Sequence, residues 1–313
     1  MRAFVFPGQG SQFIGMGKNL HDAYPIAREV FQEVDEALNQ KLSKIMFEGL
    51  ESDLNLTENT QPALMAASVA VARVLQSQYP DLLTSTRAKF VAGHSLGEYS
   101  ALTAAGSFTL SDAAKLLKIR GQAMQKAVPV GIGAMAAILG LEIDAVTAIA
   151  KEASNGGTVA AANDNSFGQI VVSGHKAAVE KAIVLATERG AKRAIMLPVS
   201  APFHCALMQP AADAMREALD NIDIKPPSAP LVANVIASEV TAPARIKQLL
   251  VEQVTGMVRW RESCLYMKDA GVIELVELGA GKVLSGLAKR IDPALAGRAV
   301  GTPADIDAFA ATL

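Results

Sequence analysis

Gly93-His94-Ser95-Leu96-Gly97 forms a G-x-S-x-G pentapeptide between an apolar run, Phe90 to Ala92, and an Ala-rich helical stretch, Ser100 to Ala105. A strand that turns sharply into a helix needs tight backbone geometry at the serine, which accounts for the small residues two before and two after it. The turn lifts the serine Oγ clear of the sheet and sets it over a helix N-terminus, where negative charge is favoured. This arrangement suits attack on an acyl group. The plain alternative is a glycine-rich turn with a capping serine, and the flanking strand and helix favour the nucleophile.

A serine hydroxyl needs a base, and histidine is the usual one because its ordinary pKa of about 6.5 suits proton transfer near neutrality. There are four histidines. His21 opens a polar surface helix and His175 follows Ser173-Gly174 at a turn, so both read as structural. His94 adjoins the nucleophile, and the elbow should point its side chain elsewhere. His204 remains, in Pro198-Val-Ser-Ala-Pro-Phe-His-Cys, at a loop-to-helix junction where a helix N-terminus would keep the imidazole neutral. An orienting Asp or Glu, in the order Ser, acid, His, would fall between 95 and 204. The acids of that interval sit on expected helix faces and turns, so a Ser/His dyad oriented by a backbone carbonyl is the preferred arrangement.

Ser111 is placed to cap a helix running to about Ala127. Lys115, Lys118, Gln122, Gln125 and Lys126 share its wet face, whereas Leu116, Leu117, Arg120 and Met124 line the other by the i, i+3, i+4 rule. An arginine among residues that should be buried needs an anion, either a protein carboxylate or a ligand carboxylate. The helix alone favours the ion pair. Gly8-Gln9-Gly10 directly follows a first apolar strand, so a backbone N–H there is free to face a ligand oxygen. With the N–H of Leu96, the residue after the nucleophile, it could form an oxyanion hole. Neither this loop nor Gly279-Ala-Gly-Lys has a phosphate-loop pattern.

The elements that must hold these residues are strands alternating with helices, the mark of an α/β fold with a parallel sheet. Strands are expected at Ala3 to Phe6, Phe90 to Ala92, Leu231 to Val235 and Val272 to Leu278. From Gly133 to Val199 the order changes to strand, helix, strand, strand, helix, strand: Ala134 to Leu141, Ile143 to Ala153, Thr158 to Asn163, Gln169 to Ser173, Ala177 to Arg189 and Lys192 to Leu197. That is a ferredoxin-like order, read as an inserted subdomain over 128–198. Residues 1–127 and 199–313 would then form the larger domain, with a cleft between the two lobes.

Composition agrees with a globular enzyme: 313 residues, 50% hydrophobic and 19% charged. The formal charge of −2 without a long Lys/Arg run argues against nucleic acid. Cys205 and Cys264, far apart and in no metal-ligand spacing, suggest neither zinc nor a disulfide framework. The opening apolar run is too short for a signal peptide, and no segment approaches the roughly 18 apolar residues of a membrane span. A reducing cytoplasm is the expected setting, with no membrane partner and no metal.

Taken together, Phe6-Pro-Gly-Gln-Gly-Ser-Gln, Gly93-His-Ser-Leu-Gly-Glu-Tyr, Arg120-Gly-Gln-Ala-Met-Gln, Gly133-Ala-Met-Ala-Ala, Asn163-Asp-Asn-Ser-Phe-Gly-Gln, Pro198-Val-Ser-Ala-Pro-Phe-His and Gly281-Lys-Val-Leu resemble the malonyl-CoA:acyl carrier protein transacylases. This family is related to the acyltransferase domains of fatty-acid and polyketide synthases, and the match spans nearly the whole chain. The resemblance implies an α/β-hydrolase-like large domain. It also implies ping-pong transfer of malonyl from malonyl-CoA to the phosphopantetheine thiol of acyl carrier protein, with no cofactor.

By the same resemblance Ser95 is the acylated nucleophile, His204 the general base and acid, and Gln9 and Leu96 the backbone oxyanion donors. Arg120 takes the malonyl carboxylate, with Gln9, Met124, Asn163 and Phe203 also on the substrate side, and the main-chain carbonyl of Gln253 holds the His204 ring. Phe203 looks like the malonyl-type pattern of polyketide acyltransferases. Two departures are Ala280, where relatives often have Pro, and Phe203 itself, where bacterial relatives have Ser; the second leaves selectivity open. An acidic carrier would dock near Lys192, Arg193, Lys282, Lys289 and Arg290. The competing readings are a serine hydrolase, against which Arg120 argues, and a non-catalytic docking module, against which the intact Ser95 and His204 argue.

Overall fold

The fold is that of a computed structural model describing residues 1–199 and 201–313; Ser200, inside the Pro198-to-His204 motif, lies outside the described residues. It is a mixed α/β protein with two sheets. The strands are β1 (Arg2–Phe6), β2 (Ala88–Gly93), β3 (Gly133–Leu139), β4 (Val159–Ser166), β5 (Gln169–His175), β6 (Arg193–Met196), β7 (Leu231–Ala233), β8 (Ser238–Val240), β9 (Glu274–Leu278) and β10 (Ala296–Val300). The larger sheet runs β10-β9-β1-β2-β7-β8 and is parallel except for β8, which returns antiparallel on β7. The parallel sheet expected from sequence is present with one antiparallel addition, this short hairpin, and two edge strands, β8 and β10, join the four that were expected.

Central strands buried on both faces split their side chains between two cores, as the pleat requires. Phe4, Phe6 and Val91 enter the core under the helices Thr57–Gln78, Gly97–Ala104 and Leu110–Lys126. Ala3, Val5, Phe90 and Ala92 enter the opposite one, beside Trp260, Cys264 and Leu284. The smaller sheet, β4-β5-β3-β6, is antiparallel throughout and carries the helices Ile143–Ala153 and Lys176–Glu188 over a third core. The two sheets are tied where Asp164 N–H donates to Val258 O at 2.9 Å and Arg261 grips the Asp164 carboxylate. Among the described residues no helix is long and apolar enough to cross a membrane.

Candidate active site

β1 and β2 lie side by side in parallel, so the loop after β1 and the elbow after β2 emerge at the same sheet edge. The elbow is sharper than a helix starting near Ser100 would make it, because the helix begins at Gly97. Ser95 sits at φ 54°, a left-handed conformation that a side-chain-bearing residue adopts only under constraint. The constraint is contact: a Cβ on Gly93 would lie 1.9 Å from the Gly97 carbonyl carbon, and one on Gly97 would lie 2.2 Å from Phe6 O. Asn234, at the end of β7, braces the turn by accepting from Ser95 N–H (2.8 Å) and donating to Gly93 O (2.7 Å).

Ser95 Oγ lies 2.8 Å from His204 Nε2, within hydrogen-bond reach for proton transfer. Nδ1 of the same ring donates to Gln253 O (2.9 Å), with Gly256 O at 3.1 Å, so two main-chain carbonyls at the end of the helix Pro243–Thr255 set the tautomer. His204 itself has φ 57°. A short 3-10 turn follows it and the helix proper starts only at Gln209. The imidazole is kept neutral by burial first and the Arg120 charge second, which push its pKa down to about 3. That corrects the helix-terminus explanation.

Arg120 projects from the helix Leu110–Lys126, whose N-cap is Thr109 and not Ser111: Thr109 Oγ1 accepts from Asp112 N–H, and Ser111 turns to Glu33. Gly121 lets this helix approach the helix Thr57–Gln78 closely, since a Cβ there would meet the Glu58 backbone at 2.5 Å. The approach brings Gln61 to Arg120. The guanidinium is 1% exposed and donates to Gln61 Oε1 (2.9 Å), Gln253 Oε1 (2.8 Å) and Ser95 Oγ (3.1 Å), while its Nε has no partner among the described residues. The ion pair favoured from the helix pattern is therefore corrected: the groups bonded to this buried cation are neutral.

A cavity of about 280 Å³ gathers Gln9, Ser95, Leu96, Arg120, Met124, Asn163, Phe203 and His204 between the two sheets, while Gln253 lies just behind it. Neither the Gln9 nor the Leu96 backbone N–H is used in the hydrogen-bond network among the described residues, which leaves both free for an oxyanion. His94 lines the same cavity, its Nε2 held 2.8 Å from Asn165 Oδ1 and its ring beside Trp260. His21 pairs with Asp22 and packs on Phe31 and Phe47, and His175 Nδ1 accepts from Thr158 N–H, so both are structural. Among the described residues no group of three or more His, Cys, Asp or Glu is placed to hold a metal ion.

Sequence reading missed Gln61, Glu98 and Asn234. Gln61 had a signal, a polar residue just before a proline at the head of a long apolar helix. Glu98 looked like an ordinary acid in a first helical turn, yet it is 1% exposed. Asn234 lay at the end of an expected strand, where nothing local marks it out.

Comparison with known proteins follows the same lines. The Acyl transferase domain family model matches residues 3–284. The chain belongs to this family. It is 48% identical to the malonyl CoA-acyl carrier protein transacylase of Bacillus subtilis over 99% of this chain and 96% of that protein. The crystal structure of an acyl-carrier-protein-S-malonyltransferase from Bartonella henselae superposes with a TM-score of 0.97 at 54% identity, covering 99% of this chain and 98% of that one. A malonyl-transacylase in complex with its type II PKS acyl-carrier protein superposes at 0.95 with 42% identity, covering 100% and 99%. Both of these structures share the arrangement of the two sheets along nearly the whole chain.

Proposed function

We infer that the chain transfers malonyl from malonyl-CoA to the phosphopantetheine thiol of acyl carrier protein, supplying extender units for fatty-acid synthesis. The observation that carries this reading is Arg120: a buried guanidinium without a carboxylate partner among the described residues, donating to the nucleophile itself. An acyl group ending in a carboxylate provides the missing anion. The relatives at 48% identity over nearly the whole chain, and the superposable complex with a carrier protein, support the same substrate pair.

In this reading His204 Nε2 takes the Ser95 proton as Oγ attacks the thioester carbonyl, and the oxyanion forms against the Gln9 and Leu96 N–H groups. The C–S bond breaks, CoA leaves with the proton from His204, and malonyl stays on Ser95 while Arg120 holds its free carboxylate. The carrier thiol then attacks the ester, His204 accepts its proton and returns it to Ser95 Oγ, and malonyl leaves on the carrier. Gln253 O keeps Nδ1–H pointed away from the reaction, a part often given to a carboxylate. Met124, Asn163 and Phe203 shape the acyl end of the cavity.

The large sheet with residues 1–127 and 199–313 is read as an α/β-hydrolase-like domain, supported by the elbow after β2. Residues 128–198 are read as a ferredoxin-like insertion, supported by the order β6-β3-β5-β4 and the βαββαβ sequence of elements. The site lies between them. No cofactor is required by this chemistry. The deciding experiment is intact mass after incubation with malonyl-CoA: wild type should gain one malonyl group and lose it on adding carrier protein, whereas Ser95→Ala should gain nothing. Labelling of Ser95→Ala at another residue would overturn the nucleophile.

A further inference from the structure

Among the described residues Arg120 has no direct counter-ion, yet a carboxyl group is buried two hydrogen bonds of a network away. Glu98, in the first turn of the helix after the elbow, accepts from Asn234 N–H at 2.5 Å through Oε1, and from Gln253 Nε2 through Oε2. Gln253 Nε2 also donates to the Ser95 main-chain carbonyl at 2.9 Å. A primary amide has two N–H donors and one carbonyl acceptor. With both donors directed at Glu98 and Ser95, its Oε1 faces the remaining direction, where Arg120 Nη2 donates at 2.8 Å.

We propose that Glu98 is a positioning residue of the clamp for the acyl carboxylate. It locks the Gln253 amide with Oε1 towards Arg120, and so holds the guanidinium beside Ser95 Oγ while leaving it no carboxylate of its own. The placement decides between two failures. A carboxylate touching Arg120 directly would occupy the fork and turn malonyl away, because two carboxylates would compete for one guanidinium. An amide turned the other way would set NH₂ against the guanidinium, donor against donor, and drive it from the nucleophile. One intervening amide avoids both, and it keeps the buried negative charge close enough to favour the buried positive one. Burial pushes the Glu98 carboxyl up, the Asn234 and Gln253 N–H donors and Arg120 pull it down, and with both its oxygens accepting N–H donors the bonds around it are those of the ionised form. This role rests on the malonyl reading of Arg120.

The test uses the full chain. In Glu98→Gln the new amide must oppose a donor to either Asn234 N–H or Gln253 Nε2, which the Gln253 amide relieves by flipping. Malonylation of Ser95 in a single turnover should fall at least about tenfold, mainly as a raised KM, while acetylation from acetyl-CoA and labelling by a neutral fluorophosphonate change less than about threefold. The swap Glu98→Gln with Gln253→Glu restores a donor facing an acceptor but puts a carboxylate directly on Arg120. It should melt closer to wild type than Glu98→Gln and still malonylate poorly, and it carries the test if the single variant does not fold. Equal losses in all three reactions, no loss in any, or a swap that malonylates like wild type would each overturn the proposal. A wild type that never forms malonyl-Ser95 would overturn the reading beneath it as well, a failure visible before any variant is made.

Discussion

Nδ1 of His204 donates to the main-chain oxygen of Gln253 at 2.9 Å, where a Ser–His–Asp triad would present a carboxylate. A neutral acceptor orients the ring without adding negative charge beside it. The ring therefore has little to offset burial and the nearby guanidinium, both of which disfavour the imidazolium.

The consequence is an unusual pH profile. The His204 pKa is lowered from 6.5 to about 3, so the neutral base persists as pH falls through the ordinary histidine range. Malonylation measured as kcat/KM, which reports the free enzyme, should stay level from pH 8 down to about 5. A tenfold fall per unit beginning near 6.5 would contradict the burial argument. Stability has the corresponding sign. Between 6.5 and 3 the unfolded chain binds more protons at this site than the folded one, so the contribution of neutral His204 is present above 6.5 and lost on acidification through that window. His204→Gln should flatten the acid limb of melting temperature against pH.

The elbow gives a second expectation, because its glycines are required by backbone contact. In Gly97→Ala the new Cβ would sit 2.2 Å from Phe6 O, a main-chain atom of the central strand that has little freedom to move. Overpacking of this kind costs about 1 to 3 kcal/mol. The variant should melt lower and lose malonylation beyond what the fall in folded fraction explains, since any relief shifts Ser95 against His204. A thermal melt combined with single-turnover labelling at a temperature where the variant is folded checks both parts.

Much of this site was legible because its signals are local. The elbow is five consecutive residues in a strand-to-helix setting, and Arg120 betrays itself by falling on the apolar stripe of one helix. The cap of that helix was misplaced by two residues, although Thr109 stands three before Asp112, the spacing its side chain needs to reach that N–H. Glu98 and Asn234 could not be read, since what buries them is the meeting of the elbow helix, β7 and the Gln253 helix, which are far apart in sequence. The edge strands β8 and β10 escaped for another reason. Ser238–Val240 is only three residues long, and Ala296–Val300 is partly exposed and contains a glycine and an arginine, so neither forms the continuous apolar run of a central strand.

The placement of charge gives an expectation for where an acidic carrier docks. Lys192 and Arg290 line a recess that shares Gln169 with the active-site cavity, whereas Lys282 lines a different recess beside Phe13 and Gly17. Lys192→Glu with Arg290→Glu should raise the apparent KM for an acidic carrier while leaving that for malonyl-CoA level, and the effect should shrink at high salt. Lys282→Glu should do less. Equal changes for both substrates would place these cations on the shared path to Ser95 and not on a carrier surface.

The sharpest expectation concerns Arg120 and the acyl groups it distinguishes. A planar guanidinium can hold a carboxylate through two parallel bonds, and such charge-assisted bonds contribute about 1.5 to 3 kcal/mol each. Acetyl offers a methyl group in the same place and leaves the cation buried against it, which penalises acetyl. Arg120→Ala should therefore lower malonylation by about two orders of magnitude while acetylation stays level or rises, inverting the preference. Arg120→Lys should recover only part, because a point charge cannot reproduce the fork. Removing the guanidinium also removes the second cause that depresses His204, so the acid limb of acetylation should move upward in Arg120→Ala relative to wild type. Single-turnover rates for both acyl-CoA substrates across pH, alongside melting curves, read all of this at once. If malonyl and acetyl rates fell together with the melting temperature, Arg120 would be serving the fold through Gln61 and Gln253, and the assignment of malonyl as the substrate would lose its main physical support.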